Sequence, residues 1–136
     1  MLQKQNSRRG GFTLVEIMIV VAIIALLASI AVPNFMRARL RTQAGLVKDE
    51  LRMIDGAVDQ YAIEKNLANG DSSVNWAVVK QYIKVGSPMY NNNGTDPLGH
   101  TYTIPHVGSL PTVPASTWST LSDVADAAYW SPFGHD

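Results

Sequence analysis

Glu16 is the only charged residue between Phe12 and Val32, a run of 21 residues that contains no Gly and no Pro. As a helix rising about 1.5 Å per residue, that run covers roughly 30 Å, the thickness of a bilayer's hydrocarbon core. An ionised carboxylate in such surroundings costs several kcal/mol unless a partner or protonation relieves it. The chemistry open to Glu16 is therefore pairing with a cation; the plain alternative is that it snorkels to the membrane surface. The other residues capable of chemistry are scattered. His100, His106 and His135 lie among turn residues without a second His or a carboxylate at ligand spacing. There is no Gly-rich phosphate loop, nucleophile elbow or zinc motif, and an enzyme is not indicated.

The elements that position Glu16 follow from the pattern around it. Residues 1–11 form a basic lead-in with Lys4, Arg8, Arg9, Gly10 and Gly11. Residues 12–33 are the apolar half of a long helix, and Pro33 predicts a kink or local unwinding because it lacks an N–H and crowds the carbonyl four residues earlier. Residues 34–65 form an amphipathic half. Leu40, Ala44, Val47, Leu51, Ile54, Val58 and Tyr61 recur at spacings of four and three, drawing one apolar stripe with charges on the other faces. The stripe suits a helix laid on a small sheet. Arg37, Arg39 and Arg41 form a collar where the helix would leave a membrane, solvated or facing headgroups.

Three readings compete for the N-terminus. A secretory signal peptide would be cut after Ser29-Ile30-Ala31 and leave Val32 first, but its apolar core is shorter than this one and lacks an acid. Ser7-Arg8-Arg9 also fits a twin-arginine signal. A plain single-pass anchor is the third, and charges on the two flanks balance too closely to orient it.

The string from Arg9 to Ile24, Arg-Gly-Gly-Phe-Thr-Leu-Val-Glu-Ile-Met-Ile-Val-Val-Ala-Ile-Ile, resembles the signal and N-terminal helix of type IV pilins and of type II secretion pseudopilins. The resemblance covers roughly residues 8–55. It implies that a prepilin peptidase cuts between Gly11 and Phe12 and methylates the new amine of Phe12. It also implies that Glu16 pairs with Phe12 of a neighbouring subunit during assembly. Glycine at 10 and 11 lets an extended backbone enter a protease cleft without a Cβ clash. The partners implied are further copies of the chain in a filament, minor pseudopilins, the peptidase and an inner-membrane assembly platform. The implied location is the bacterial inner membrane, single-pass with a periplasmic C-terminal part, from which subunits are extracted into the filament.

Residues 66–136 read as one small globular part. Gly70 is placed to end the long helix, and 75–83 form a short second helix capped by Ser73 or Asn75, with Trp76 a core anchor. Thr101–Ile104 and Thr112-Val113 predict a small antiparallel sheet among turns. The fold expected is α+β and type IV pilin-like, with the long kinked helix packed on that sheet. Asp96-Pro97-Leu98-Gly99-His100-Thr101-Tyr102 is similar to the turn before the sheet in major pseudopilins. That likeness and the absence of cysteines favour a pseudopilin in protein export over a type IV pilin for adhesion, motility or DNA uptake. The resemblance further implies a C-terminal calcium loop. Here Asp123 and Asp126 are the only acids available apart from Asp136, whereas calcium takes six to eight oxygens; no metal or other cofactor is assigned. Tyr129, Trp130 and Phe133 are expected to tie the chain's end to its own core or to a neighbour. The formal net charge is zero, and no Lys/Arg cluster marks a nucleic-acid surface.

Overall fold

The computed structural model describes residues 10–136; Lys4, Arg8 and Arg9 of the expected leader lie outside that range. One compact unit ends at Met36 and the second is Arg37–Asp136. Helix α1, Leu14–Lys65, supplies the helical part of the first unit among the described residues and the spine of the second. It is unbroken at Pro33, so the proline does not unwind it.

In the first unit the apolar residues have no protein over them. Its apolar stretch is long enough to cross a membrane and none of it is buried within the chain. The one hydroxyl past the first turn, Ser29 Oγ, donates to the Leu26 carbonyl at 2.6 Å, so it adds no unpartnered polar group to this surface.

The second unit is built on the expected stripe. Ala44, Val47, Leu51, Ile54 and Val58 are buried, Leu40 and Tyr61 flank them, and Ala57 and Ala62 widen the face. Glu50 lies on this face too and is buried, contrary to the expectation that charges keep to the other sides. The helix ends at Lys65, five residues before Gly70. Asn66 adopts φ 52°, the Asn66 N–H donates to the Ile63 carbonyl at 3.3 Å and the Leu67 N–H to the Ala62 carbonyl at 2.9 Å. That pair of bonds is a Schellman closure, which asparagine can support because it tolerates the left-handed region.

Four short helices follow α1 among the described residues. Helix α2, Trp76–Val79, is capped by Asn75 and runs into a 3-10 turn over Lys80–Tyr82. Helix α3 is Pro88–Asn91, α4 is Ala115–Leu121 and α5 is Ala127–Trp130. The Trp76 indole is partly buried against the core and lies so close to Gly94 that a Cβ there would meet the ring at 2.8 Å. At φ 79° Gly94 suits glycine on backbone grounds as well.

The expected antiparallel sheet is not formed among the described residues. Thr101 makes one isolated antiparallel bridge to Thr95, and Val113 one isolated parallel bridge to His135. The backbone explains why neither grows. Upstream of Thr95, the amides of Asn92 and Gly94 are committed to α3 carbonyls, and Pro97 and Pro105 cannot donate to a ladder. Val113 sits between Pro111 and Pro114 and pairs instead with the chain's end, donating to Gly134 at 2.9 Å and accepting from Asp136 at 3.1 Å. Trp130 and Phe133 are buried in the chain's own core, while Trp118 stacks on His135 with centroids 4.0 Å apart.

Glu50 carries a pH dependence. The Tyr102 hydroxyl donates to its carboxylate at 2.7 Å. Burial pushes the Glu50 carboxyl up from its ordinary 4.5, the Tyr102 bond opposes this, and the negative charge of Asp96 adds to it. A carboxyl raised in the folded state contributes stability that is fully present below its unfolded value and is lost as pH rises through the folded one. Glu50→Gln keeps an acceptor for Tyr102 and removes the charge. The variant is expected to be more stable than the parent at pH 7 by about 1 kcal/mol, with the advantage vanishing toward pH 4. Thermal unfolding of the full chain in detergent across that range measures it; equal midpoints for the two chains at pH 7 would contradict it.

Candidate functional site

The start of α1 supplies Glu16 with a contact inside its own chain. Thr13 precedes the first helical residue, and its N–H donates to Glu16 Oε2 at 2.9 Å while the Glu16 N–H donates to Thr13 Oγ1 at 3.3 Å. This reciprocal pair is a capping box, satisfying helix-end donors that have no carbonyl partner. The Thr-x-x-Glu spacing of residues 13–16 is its sequence signature, and it was legible without the structure. Glu16 Oε1 has no hydrogen-bond partner among the described residues. One carboxylate oxygen thus holds the helix start, and the other is not engaged by any described residue.

Phe12 adjoins this box and is 85% exposed. Gly11 lies in open space, with nothing within 4 Å of where a Cβ would stand. Gly11, Phe12 and Glu16 therefore occupy one accessible segment at the start of a helix whose sides are apolar. Pro33 lies well down the same helix.

The Asp96–Tyr102 turn is a tether and not a strand entry. Asp96 is buried; its Oδ1 accepts from the Leu98 and His100 amides at 2.9 and 2.8 Å, and its Oδ2 accepts from the Thr117 hydroxyl of α4. Gly99 turns back at φ 90° and donates to the Asp96 carbonyl at 3.0 Å. His100 Nδ1 lies 2.8 Å from Thr117 Oγ1. With Tyr102 bonded to Glu50, the turn ties α4 to α1 through polar side chains satisfied by one another. Thr117 is fully buried, which removes it as a nucleophile despite its Asp and His neighbours.

Asp123 and Asp126, the two calcium candidates, have different surroundings. Asp126 Oδ1 caps α5, accepting from the Tyr129 amide at 2.8 Å. Asp123 instead lines a cavity with Arg37 and Arg41, where guanidinium groups would oppose a dication. No group of three or more metal-ligating side chains is assembled among the described residues.

A capped acid at the head of an uncovered apolar helix, continued by a half that anchors a small polar-surfaced core, defines a pilin-like subunit. The comparisons agree. The prokaryotic N-terminal methylation motif matches residues 6–32. The type II secretion system core protein G of Pseudomonas aeruginosa is 30% identical over 107 residues, covering 72% of this chain and 74% of that protein. The type IV major fimbrial protein FimA of Dichelobacter nodosus is 34% identical over 90 residues, 66% of this chain and 56% of the relative. The type IV major pilin protein PilA of Myxococcus xanthus is 44% identical over 61 residues, 45% of this chain and 28% of the relative. Several relatives are thus matched over about half their length or less. No solved structure is a significant match. The chain belongs to the type IV pilin-like family that includes the type II secretion core protein G.

Proposed function

We propose that this chain is the major structural subunit of a type II secretion pseudopilus, a non-catalytic protein whose copies pack their apolar helices into a filament that drives protein export. The observation that carries the reading is the uncovered surface of α1 from Leu14 to Val32, which is apolar around its circumference and headed by Glu16. Before assembly lipid covers it; in the filament, neighbouring helices do. Prepilin peptidase frees and methylates Phe12 at the cytoplasmic face, the soluble unit faces the periplasm, and Glu16 Oε1 receives the ammonium of another subunit's Phe12. Pro33 gives the helix a point of bending on incorporation. The assembly platform and minor pseudopilins are the further partners.

A type IV pilin for adhesion, motility or DNA uptake is the second reading, favoured by the 44% identity to a major pilin. Deleting the gene separates them: loss of secreted enzymes supports the pseudopilin, and loss of twitching with normal secretion supports the pilin. Processing has its own test. Gly11→Leu is expected to accumulate as unprocessed precursor in membranes, seen as a mass larger by the leader; normal processing of that variant would contradict the assigned cut. A soluble secreted binding protein would begin at Val32.

A further inference from the structure

A second feature of the Arg37–Asp136 unit has a chemistry of its own. Arg37, Leu40 and Arg41 on α1, with Asp123 and Val124 on the loop between α4 and α5, line a cavity of about 360 Å³. Arg37 and Arg41 are one helical turn apart and so project from the same side of α1. Neither guanidinium forms an ion pair with Asp123, and none of the three charged groups has an ion-pair partner among the described residues. Leu40 and Val124 are partly buried against the core and give the cavity an apolar floor. Charges of both signs are thus held around one hollow without neutralising each other.

A ligand that bridges them needs an anion for the two arginines and a cation for the aspartate, separated by a short linker. We propose that this cavity binds the phosphoethanolamine headgroup of a membrane phospholipid. Arg37 and Arg41 take the phosphate oxygens, for which the planar guanidinium is suited, and Asp123 accepts hydrogen bonds from the primary ammonium. The lipid's glycerol end lies over Leu40 and Val124. Location along the helix fits this source. Arg37 follows Val32 by five residues, a rise of about 7–8 Å, which sets it at headgroup depth when the apolar run spans the hydrocarbon. The chemistry also sets selectivity. A choline headgroup carries no N–H to donate to Asp123, and an anionic glycerol headgroup offers it no cation.

The proposal rests on the membrane-anchored reading, and one experiment separates the two. The mature full chain is reconstituted in vesicles of equal parts phosphatidylethanolamine, phosphatidylcholine and phosphatidylglycerol. Flotation tests insertion, and native mass spectrometry from mild detergent reads the retained lipid. Failure to float overturns the anchored reading. With insertion established, retention of phosphatidylethanolamine about tenfold over phosphatidylcholine is expected, the size of one charge-assisted hydrogen bond. Asp123→Asn should abolish that preference while total retained lipid is kept. The double variant Arg37→Gln, Arg41→Gln should lose retention of both lipids. Equal retention of ethanolamine and choline lipids by the parent, a preference for phosphatidylglycerol, or an Asp123→Asn variant that still prefers ethanolamine would each overturn the site. Soluble glycerophosphoethanolamine at the lipid's concentration should leave retention unchanged, and displacement by it would overturn the membrane source.

Discussion

Glu16→Ala is expected to lower the yield of sheared or pelleted filament by about a hundredfold or more, while the precursor is still cut and the C-terminal core melts at the parent's temperature. The magnitude follows from what the substitution leaves behind. Removing one member of a buried charge pair strands the other at a cost of roughly 3–5 kcal/mol, and about 1.4 kcal/mol is tenfold in an association constant. The stranded group would be the Phe12 ammonium of a neighbouring copy. Stability of the second unit should not change, because Glu16 lies in the first unit and its side chain hydrogen-bonds only Thr13 among the described residues. The capping box supplies a sharper variant. Glu16→Gln retains an oxygen for the Thr13 amide but has no charge to offer. If pairing is what assembly needs, Gln fails like Ala; if the cap alone is needed, Gln assembles like the parent and the pairing role is excluded.

The second large effect lies at the other end of the chain. Trp130→Ala is expected to destabilise the Arg37–Asp136 unit by about 3–5 kcal/mol, the usual cost of deleting a buried large aromatic. Trp130 is fully buried, meets Tyr129 edge-on with centroids 5.2 Å apart and Trp118 at 6.4 Å, and its indole N–H donates to the Ala125 carbonyl at 3.2 Å. For a unit of this size the loss corresponds to a midpoint lowered by roughly 15 °C or more. Near-UV circular dichroism of the full chain in detergent reads it through the same aromatic cluster. Trp130→Phe should recover most of the loss; an unchanged midpoint for the Ala variant would show that the cluster does not hold the C-terminal end.

What could be read from residues alone was what repeats along a helix. The spacing of Leu40, Ala44, Val47, Leu51, Ile54, Val58 and Tyr61 marked the buried face, and the run from Phe12 to Val32 marked the uncovered one. Glu50 escaped because a charge on a core stripe is visible only once its partner Tyr102, 52 positions away, is brought to it. The β-branched residues at Thr101–Ile104 and Thr112-Val113 predict a sheet that does not form among the described residues. Alternation there was real, but prolines flank both segments and nearby amides serve α3, so each pairing stops at one bridge. Short helices α3 and α5 begin at Ser87 and Asp126, whose side chains accept the amides of Tyr90 and Tyr129. Those caps were present in the sequence, yet one-turn helices carry too little periodicity to stand out from turns. Asp126, a calcium candidate by residue type, serves as such a cap. The Thr13-Glu16 box is equally visible in the Thr-x-x-Glu spacing.

On the proposed function, cleavage ahead of Phe12 creates the ammonium that Glu16 of a neighbouring copy accepts. Intact-mass and N-terminal analysis of the chain recovered from the membrane and filament fractions tests this most directly. A mature chain beginning at N-methylated Phe12 is the predicted result. A chain beginning at Val32, or one retaining residues 1–11 in the filament, would contradict it.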